Sequence, residues 1–242
     1  MVRAVLFDLD GTLVHFDYDE FLQAYIQAVS AAVAHVLNPR TFARELLRCT
    51  NVMLANEGPR TNKQVFWDEM LRSIDCDTKH LLDAVDHFYR TDFPRLRDRL
   101  RVVPHPDARP MLEHLIREGY TVVIATNAVF PRIATEERMR WGNVHGLPYT
   151  LVTTYETWHS CKPNLAYYRE ILSTINIKPE DCIMIGNDLQ EDVVAGKLGM
   201  RTYLVDDYLV DHGTPHREPD FRGSFDDMLR FVMSGDLEGL WA

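Results

Sequence analysis

The feature that most constrains this chain is a set of short apolar runs that each end in polar or acidic residues, with helical patterns between them. Residues 2–7 (VRAVLF) run into Asp8, Asp10 and Gly11. Residues 120–125 (YTVVIA) run into Thr126 and Asn127, and residues 182–185 (CIMI) into Gly186, Asn187 and Asp188. Shorter strand patterns cover 149–153 and, as the last strand, 202–205. Helical patterns fill 110–118, 131–141, 164–175 and 191–198, and Ser224 caps a final helix through 233. Alternation of this kind predicts a parallel sheet with helices on both faces. Ligands in such sheets bind beyond the carboxyl ends of the strands, where these polar residues sit.

One stretch breaks the alternation. Residues 21–37, 41–55, 61–74 and 78–96 repeat apolar side chains at helical spacing, with Asn38-Pro39 as a stop and no strand pattern between them. Residues 102–106, with Pro104 and Pro106, read as the linker back, since a proline disfavours helix in the residue before it. The expected fold is therefore α/β, a doubly wound parallel sheet built from residues 1–14 and 104–242, with an inserted helical module over 15–103.

Composition excludes several classes. The chain has 242 residues, of which 46 % are hydrophobic and 26 % charged, as in an average globular protein. Its net charge of −10 gives no bulk attraction to nucleic acid or to an anionic membrane, so neither is expected as a partner. No run reaches the ~18 apolar residues of a membrane span, and the N-terminus lacks an export pattern. Cys49, Cys76, Cys161 and Cys182 have no C-x-x-C spacing and read as reduced thiols of a cytoplasmic protein.

The residues at the strand ends share one chemistry. Asp8, Asp10 and Asp188 converging without a cation would repel and each pKa would rise. Mg²⁺ resolves this, because it takes oxygen ligands and one or two carboxylates while leaving room for a phosphate. Lys162 and a hydroxyl offer donors to anionic oxygens, so the set suits a phosphoryl group. One carboxylate can attack phosphorus, and a second two residues away can protonate the leaving oxygen and later activate water. Gly11 lets the main chain approach a phosphate closely.

Together these motifs resemble those of the haloacid dehalogenase-like (HAD) superfamily, in its phosphatase branch with a helical cap. The resemblance rests on Asp8-Leu9-Asp10-Gly11-Thr12 after the first strand, Thr126 after a strand, Lys162, and the acidic pair Asp188 and Asp192, in family order across residues 5–200. The helical module lies where that family inserts its cap. The resemblance implies Asp8 as nucleophile and Mg²⁺ ligand, and Asp10 as general acid/base and a ligand through its carbonyl. It implies Thr126 as a donor to phosphate, Gly11 and Asn127 beside the substrate, Asp188 as the other metal carboxylate, and Asp192 as a residue orienting Lys162 or a metal-bound water. Asp10 favours phosphate esters, because dehalogenases and phosphonatases of the family lack an acid there. Asn164-Leu165 after Lys162-Pro163, and Asn187 before Asp188, depart from the common pattern without removing a functional group.

Each residue alone has a plainer reading. A D-x-D before glycine is often a polar turn, Thr126-Asn127 a helix cap, Lys162 a solvated lysine, and Asp188 with Asp192 an exposed helix start. The histidines read as surface residues, His105, His159 and His212 in loops. Arg40, Arg44 and Arg48 share a helix face that reads as solvated, and Phe66, Trp67 and Met70 as packing within the helical module. The conjunction at one sheet edge favours an Mg²⁺-dependent phosphatase of a small phosphorylated metabolite. A phosphomutase of the β-phosphoglucomutase type uses the same core, and a HAD-like protein without turnover would bind only. A receiver domain fits less well, because its acidic pair precedes the phosphoacceptor and it has no 80-residue helical insert.

Overall fold

A computed structural model describes residues 2–234. In chain order the elements are β1 (Ala4–Phe7), β2 (Val14–His15), then helices α1 (Tyr18–Ala32), α2 (Pro39–Leu54), α3 (Asn62–Ser73) and α4 (Thr78–Thr91) and a 3-10 helix (Phe93–Arg99). They continue as β3 (Val103–Pro104), α5 (Ala108–Arg117), β4 (Thr121–Ile124), α6 (Arg132–Trp141), β5 (Leu151–Val152) and α7 (Leu165–Ile175). Next come β6 (Cys182–Gly186), a second long 3-10 helix (Val193–Leu198), β7 (Arg201–Val205), β8 (Phe221–Gly223) and α8 (Phe225–Met233).

Six strands form one sheet in the order β5-β4-β1-β6-β7-β8, and every neighbouring pair is parallel. β1 is central and buried at every position, because both faces of a parallel sheet are covered by its crossovers. Side chains alternate across it. Val5 and Phe7, with Val122, Ile124 and Ile185, pack against Met111 and Leu115 of α5 and Met228 of α8. Ala4 and Leu6, with Val123 and Met184, pack against Tyr167, Tyr168 and Ile171 of α7. The doubly wound sheet expected from the sequence is present.

The helices α1 to α4 lie between β2 and β3, over the carboxyl edge of the sheet. Asn38 and Pro39 do separate the first two helices, but as a start signal: Asn38 Oδ1 accepts from the N–H groups of Arg40 and Thr41, and Pro39 occupies the first turn. Asn62 ties α3 to the sheet domain, its buried amide donating to the carbonyls of Ala128 and Ser160, each at 3.0 Å. The expected core extends to residue 242, and 235–242 lie outside the described residues. Among the described residues no helix is long and apolar enough to cross a membrane.

Four expectations are corrected. The stretch read as a linker holds β3, which pairs antiparallel with β2, Val14 with Pro104 and His15 with Val103. Two-residue strands have no periodicity to read. The strand at 202–205 is not the last, since β8 follows it at the sheet edge. Residues 193–198 form a 3-10 rather than an α-helix; they contain Gly196, a weak helix former pressed under the Arg217 guanidinium. Finally, His15 and His105 are not surface residues. His15 is buried, its Nε2 lies 3.1 Å from the Thr12 carbonyl, and its ring packs against Tyr208 and Phe225. His105 stacks on Phe225.

Burial lowers the pKa of His15, opposed by its bond to the Thr12 carbonyl and by Asp207 and assisted by His105. The folded value lies below the unfolded one, so the unfolded chain binds the extra proton first. Stability is then full above the ordinary histidine range and falls as pH drops through about 6.5 toward the folded value. Thermal melts at pH 7.5 and 5.5 should show a loss for the native chain that His15→Gln, which keeps an amide donor, reduces.

Candidate active site

The carboxyl ends of β1, β4 and β6 deliver the site. Asp8 follows β1 directly, and its main-chain N–H donates to the Ile185 carbonyl at 2.8 Å, locking it to the neighbouring strand. Lys162 enters from the loop before α7. Its ammonium is 1 % exposed and donates to Asp8 Oδ1 at 2.7 Å and to Asp192 Oδ1 at 2.6 Å. The other oxygen of Asp192 accepts from the Asp188 main-chain N–H. Gly186 is required here, because a Cβ at that position would collide with the Asp192 carboxylate.

Thr126 and Asn127 follow β4. Thr126 is buried, with its carbonyl held by Thr153 Oγ1 at 2.6 Å and by Tyr167 OH at 2.8 Å. The Asn127 amide is a clasp: Oδ1 accepts from the Lys162 N–H, and Nδ2 donates to both oxygens of Glu191 at 3.0 Å. Gly11 takes φ +86°, and its lack of a side chain admits the Asn187 amide. Asn187 in turn accepts from Thr12 Oγ1 at 3.0 Å and donates to the Tyr208 carbonyl at 2.6 Å. Asp188 stands at the edge of the group. Its Oδ1 accepts from the N–H groups of Gln190 and Glu191, and its Oδ2 lies 2.9 Å from His212 Nε2. Asp8, Asp10, Gly11, Thr126, Asn127, Asp188 and Asp192 all line one cavity of about 810 Å³, with Lys162 directly behind.

Residues outside the sequence reading complete the set. Asp10 forms an ion pair with Arg138 of α6, whose side chain is 1 % exposed and lies 4.5 Å above the Phe130 ring. Arg138 sits in RIATEERMRW, a stretch so charged that nothing marks one arginine as buried. Glu191 lay inside the acidic motif, three residues after Asp188, a spacing that brings two side chains together on a helical turn. His212 occupies a loop, as expected, and is half-exposed, but it pairs with Asp188.

Electrostatics at this edge are short of positive charge. Burial is the main reason the Asp8 carboxyl is pushed up to about 7; Lys162 opposes the shift, while Asp192 and Asp10 add to it. Burial raises Asp10 against the pull of Arg138, raises Asp192 against Lys162, and pushes Glu191 up to about 8. For Lys162 burial works against the charge, but Asp192 and Asp8 hold it well above the ordinary lysine value.

The family model of haloacid dehalogenase-like hydrolases matches residues 2–199. The chain belongs to that family. A glyceraldehyde 3-phosphate phosphatase of Methanothermobacter thermautotrophicus is 26 % identical over 221 residues, covering 90 % of this chain and 92 % of that protein. One from Methanopyrus kandleri is 28 % identical over 209 residues, covering 85 % and 84 %. Among solved structures, CbbY from Rhodobacter sphaeroides in complex with phosphate superposes with a TM-score of 0.59 at 20 % identity, covering 94 % of this chain and 96 % of that one. That likeness concerns the fold. The matched model is one of hydrolases, and Asp8, Lys162 and Asp192 lie within the matched span.

Proposed function

We propose that this HAD-family enzyme hydrolyses a small phosphate monoester through an aspartyl-phosphate on Asp8. The carrying observation is the Lys162 ammonium bridging Asp8 and Asp192, with the Asp10 carboxylate two residues from Asp8 on the same cavity. The phosphatase names of the relatives support it, as does the acid at Asp10 that the family's dehalogenases lack.

The donor set fits Mg²⁺. Asp8, Asp10, Asp188, Glu191 and Asp192 outnumber Lys162 and Arg138, and Asp10 Oδ1 is buried without a hydrogen-bond partner. Among the described residues no three His, Cys, Asp or Glu side chains form a cage. The ion would be held by Asp8, Asp188 and the Asp10 carbonyl with water completing its shell, as Mg²⁺ prefers. When bound it offsets charge on the phosphoryl oxygens.

In the first step Asp8 attacks phosphorus, the ester P–O bond breaks, and Asp10 gives its proton to the leaving alkoxide. In the second, Asp10 takes a proton from water, whose oxygen attacks phosphorus and releases phosphate from Asp8. Lys162 fixes the Asp8 carboxylate and balances the charge beside it. Arg138 positions the Asp10 carboxylate through their ion pair. Thr126 would donate to the phosphoryl oxygens, and Gly11, whose N–H is taken by the Val14 carbonyl, leaves room for them. Residues 15–103 act as a cap that excludes water. The free cysteines support a cytoplasmic setting.

The test is phosphate release from a panel of phosphomonoesters that includes glyceraldehyde 3-phosphate, with Mg²⁺ and then with EDTA. Release should fall by about 10²-fold or more on chelation and return with added Mg²⁺, the scale of losing several kcal/mol of charge stabilisation. Release untouched by EDTA would contradict the metal assignment. Phosphate moved to a sugar rather than to water would favour the phosphomutase.

A further inference from the structure

We propose that the leaving group of the ester is an apolar alcohol larger than a triose, bound in a hydrophobic chamber under the cap. This rests on the phosphatase reading above and adds the substrate class. The cavity above Asp8 measures about 810 Å³, toward the upper end of the ~300–1,000 Å³ that encloses drug-sized ligands. A three-carbon leaving group would fill a small part of it.

The walls decide the chemistry. Away from the sheet edge, the cavity is lined by side chains such as Leu22, Ile26 and Val29 of α1, Phe42 and Leu46 of α2, and Trp67 of α3. Among the described residues no lysine or arginine of residues 15–103 lines it. Arg44 and Arg48 pair instead with Glu45, and Arg48 also with Glu69. Arg138, at the floor, is engaged by Asp10. Thr50 and Asn51 are the polar side chains that α2 contributes, and Asp17 and Asp19 stand near the start of α1. On the walls the Tyr25 and Tyr89 hydroxyls pair with each other at 2.7 Å and Tyr155 OH accepts from Trp67, so a carboxylate on the leaving group would lose water and meet no lysine or arginine of residues 15–103, and a polyol would compete with bonds already made.

Two lining residues also show what is left uncovered. Leu47 and Leu209 are 47 % and 39 % exposed although both are large and apolar, and both line this cavity. An apolar ligand would cover them.

The test uses the whole chain with Mg²⁺. Binding of n-alkyl phosphonates from ethyl to octyl, measured by calorimetry, reads the chamber without turnover. Kd should fall about threefold to fourfold per added methylene until the chamber is full, the scale of burying a CH₂. kcat/KM for the matching n-alkyl phosphates, whose leaving groups are equally basic, should rise by similar factors. Butyl phosphate should outperform phosphoglycolate. Leu47→Arg, at a half-exposed helix position, should flatten the chain-length slope and improve phosphoglycolate relative to butyl phosphate. Binding that is flat across the series, or phosphoglycolate preferred by the native chain, would overturn the chamber. Chain-length-dependent binding with no ester hydrolysed would support the chamber and overturn the phosphatase reading instead.

Discussion

Asp8→Asn is expected to lower phosphate release by at least about 10⁴-fold while leaving the protein folded, the scale seen when a covalent nucleophile is removed. The amide keeps the shape of the side chain and cannot form the aspartyl-phosphate. Its effect on stability has the opposite sign to most active-site losses. Asp8 is buried beside Asp10 and Asp192, and burial with their repulsion holds its pKa near 7. Removing that charge relieves repulsion that Lys162 balances only in part, and Lys162 keeps Asp192 as a partner. The melting temperature should therefore hold or rise. Functional sites often carry such unfavourable arrangements. A variant both inactive and unfolded would argue that Asp8 is structural.

Lys162→Met should be the most destabilising substitution at the site. It leaves Asp8 and Asp192 buried and facing each other without their shared cation. Breaking a buried pair in this way costs about 3–5 kcal/mol, or about 6–20 °C in melting temperature for a chain of this size. Activity should fall with it, because the Asp8 carboxylate loses the group that holds and charge-balances it. The double variant Lys162→Met/Asp192→Asn separates the two effects. It should regain part of the stability, since one stranded charge is gone, and none of the activity. Chemical denaturation of both variants at pH 7.5 checks this. Equal stability of the single and double variants would mean that the two carboxylates do not share one cation.

Much of the fold was legible because it rests on strong local signals. The fully apolar β1 and β6 could only be buried strands, and the acidic residues that follow them could only lie at the sheet edge. α1 to α4 were legible from apolar spacing alone. The β2–β3 pair was not: it spans two residues, and the pairing joins segments about 90 residues apart in sequence. The site divides in the same way. Asp8, Asp10 and Asp192 follow from their positions after strands. Lys162 taken alone reads as a surface lysine, and only its partners in space explain why it is almost wholly buried. Arg138 is the clearest case beyond sequence. It is one charged residue of several on α6, and the depth of that single position makes it the partner of Asp10. His15 was misread for a similar reason, since its burial is made by Tyr208 and Phe225 from the far end of the chain.

The central claim is that phosphorus passes through Asp8. Rapid acid quench of a single turnover, followed by peptide mass analysis, tests it most directly. A phosphoryl group should appear on the peptide carrying Asp8, decay as phosphate is released, and be missing in Asp8→Asn. Phosphate released with that peptide unmodified throughout the turnover, or a phosphoryl group on another residue, would contradict the account.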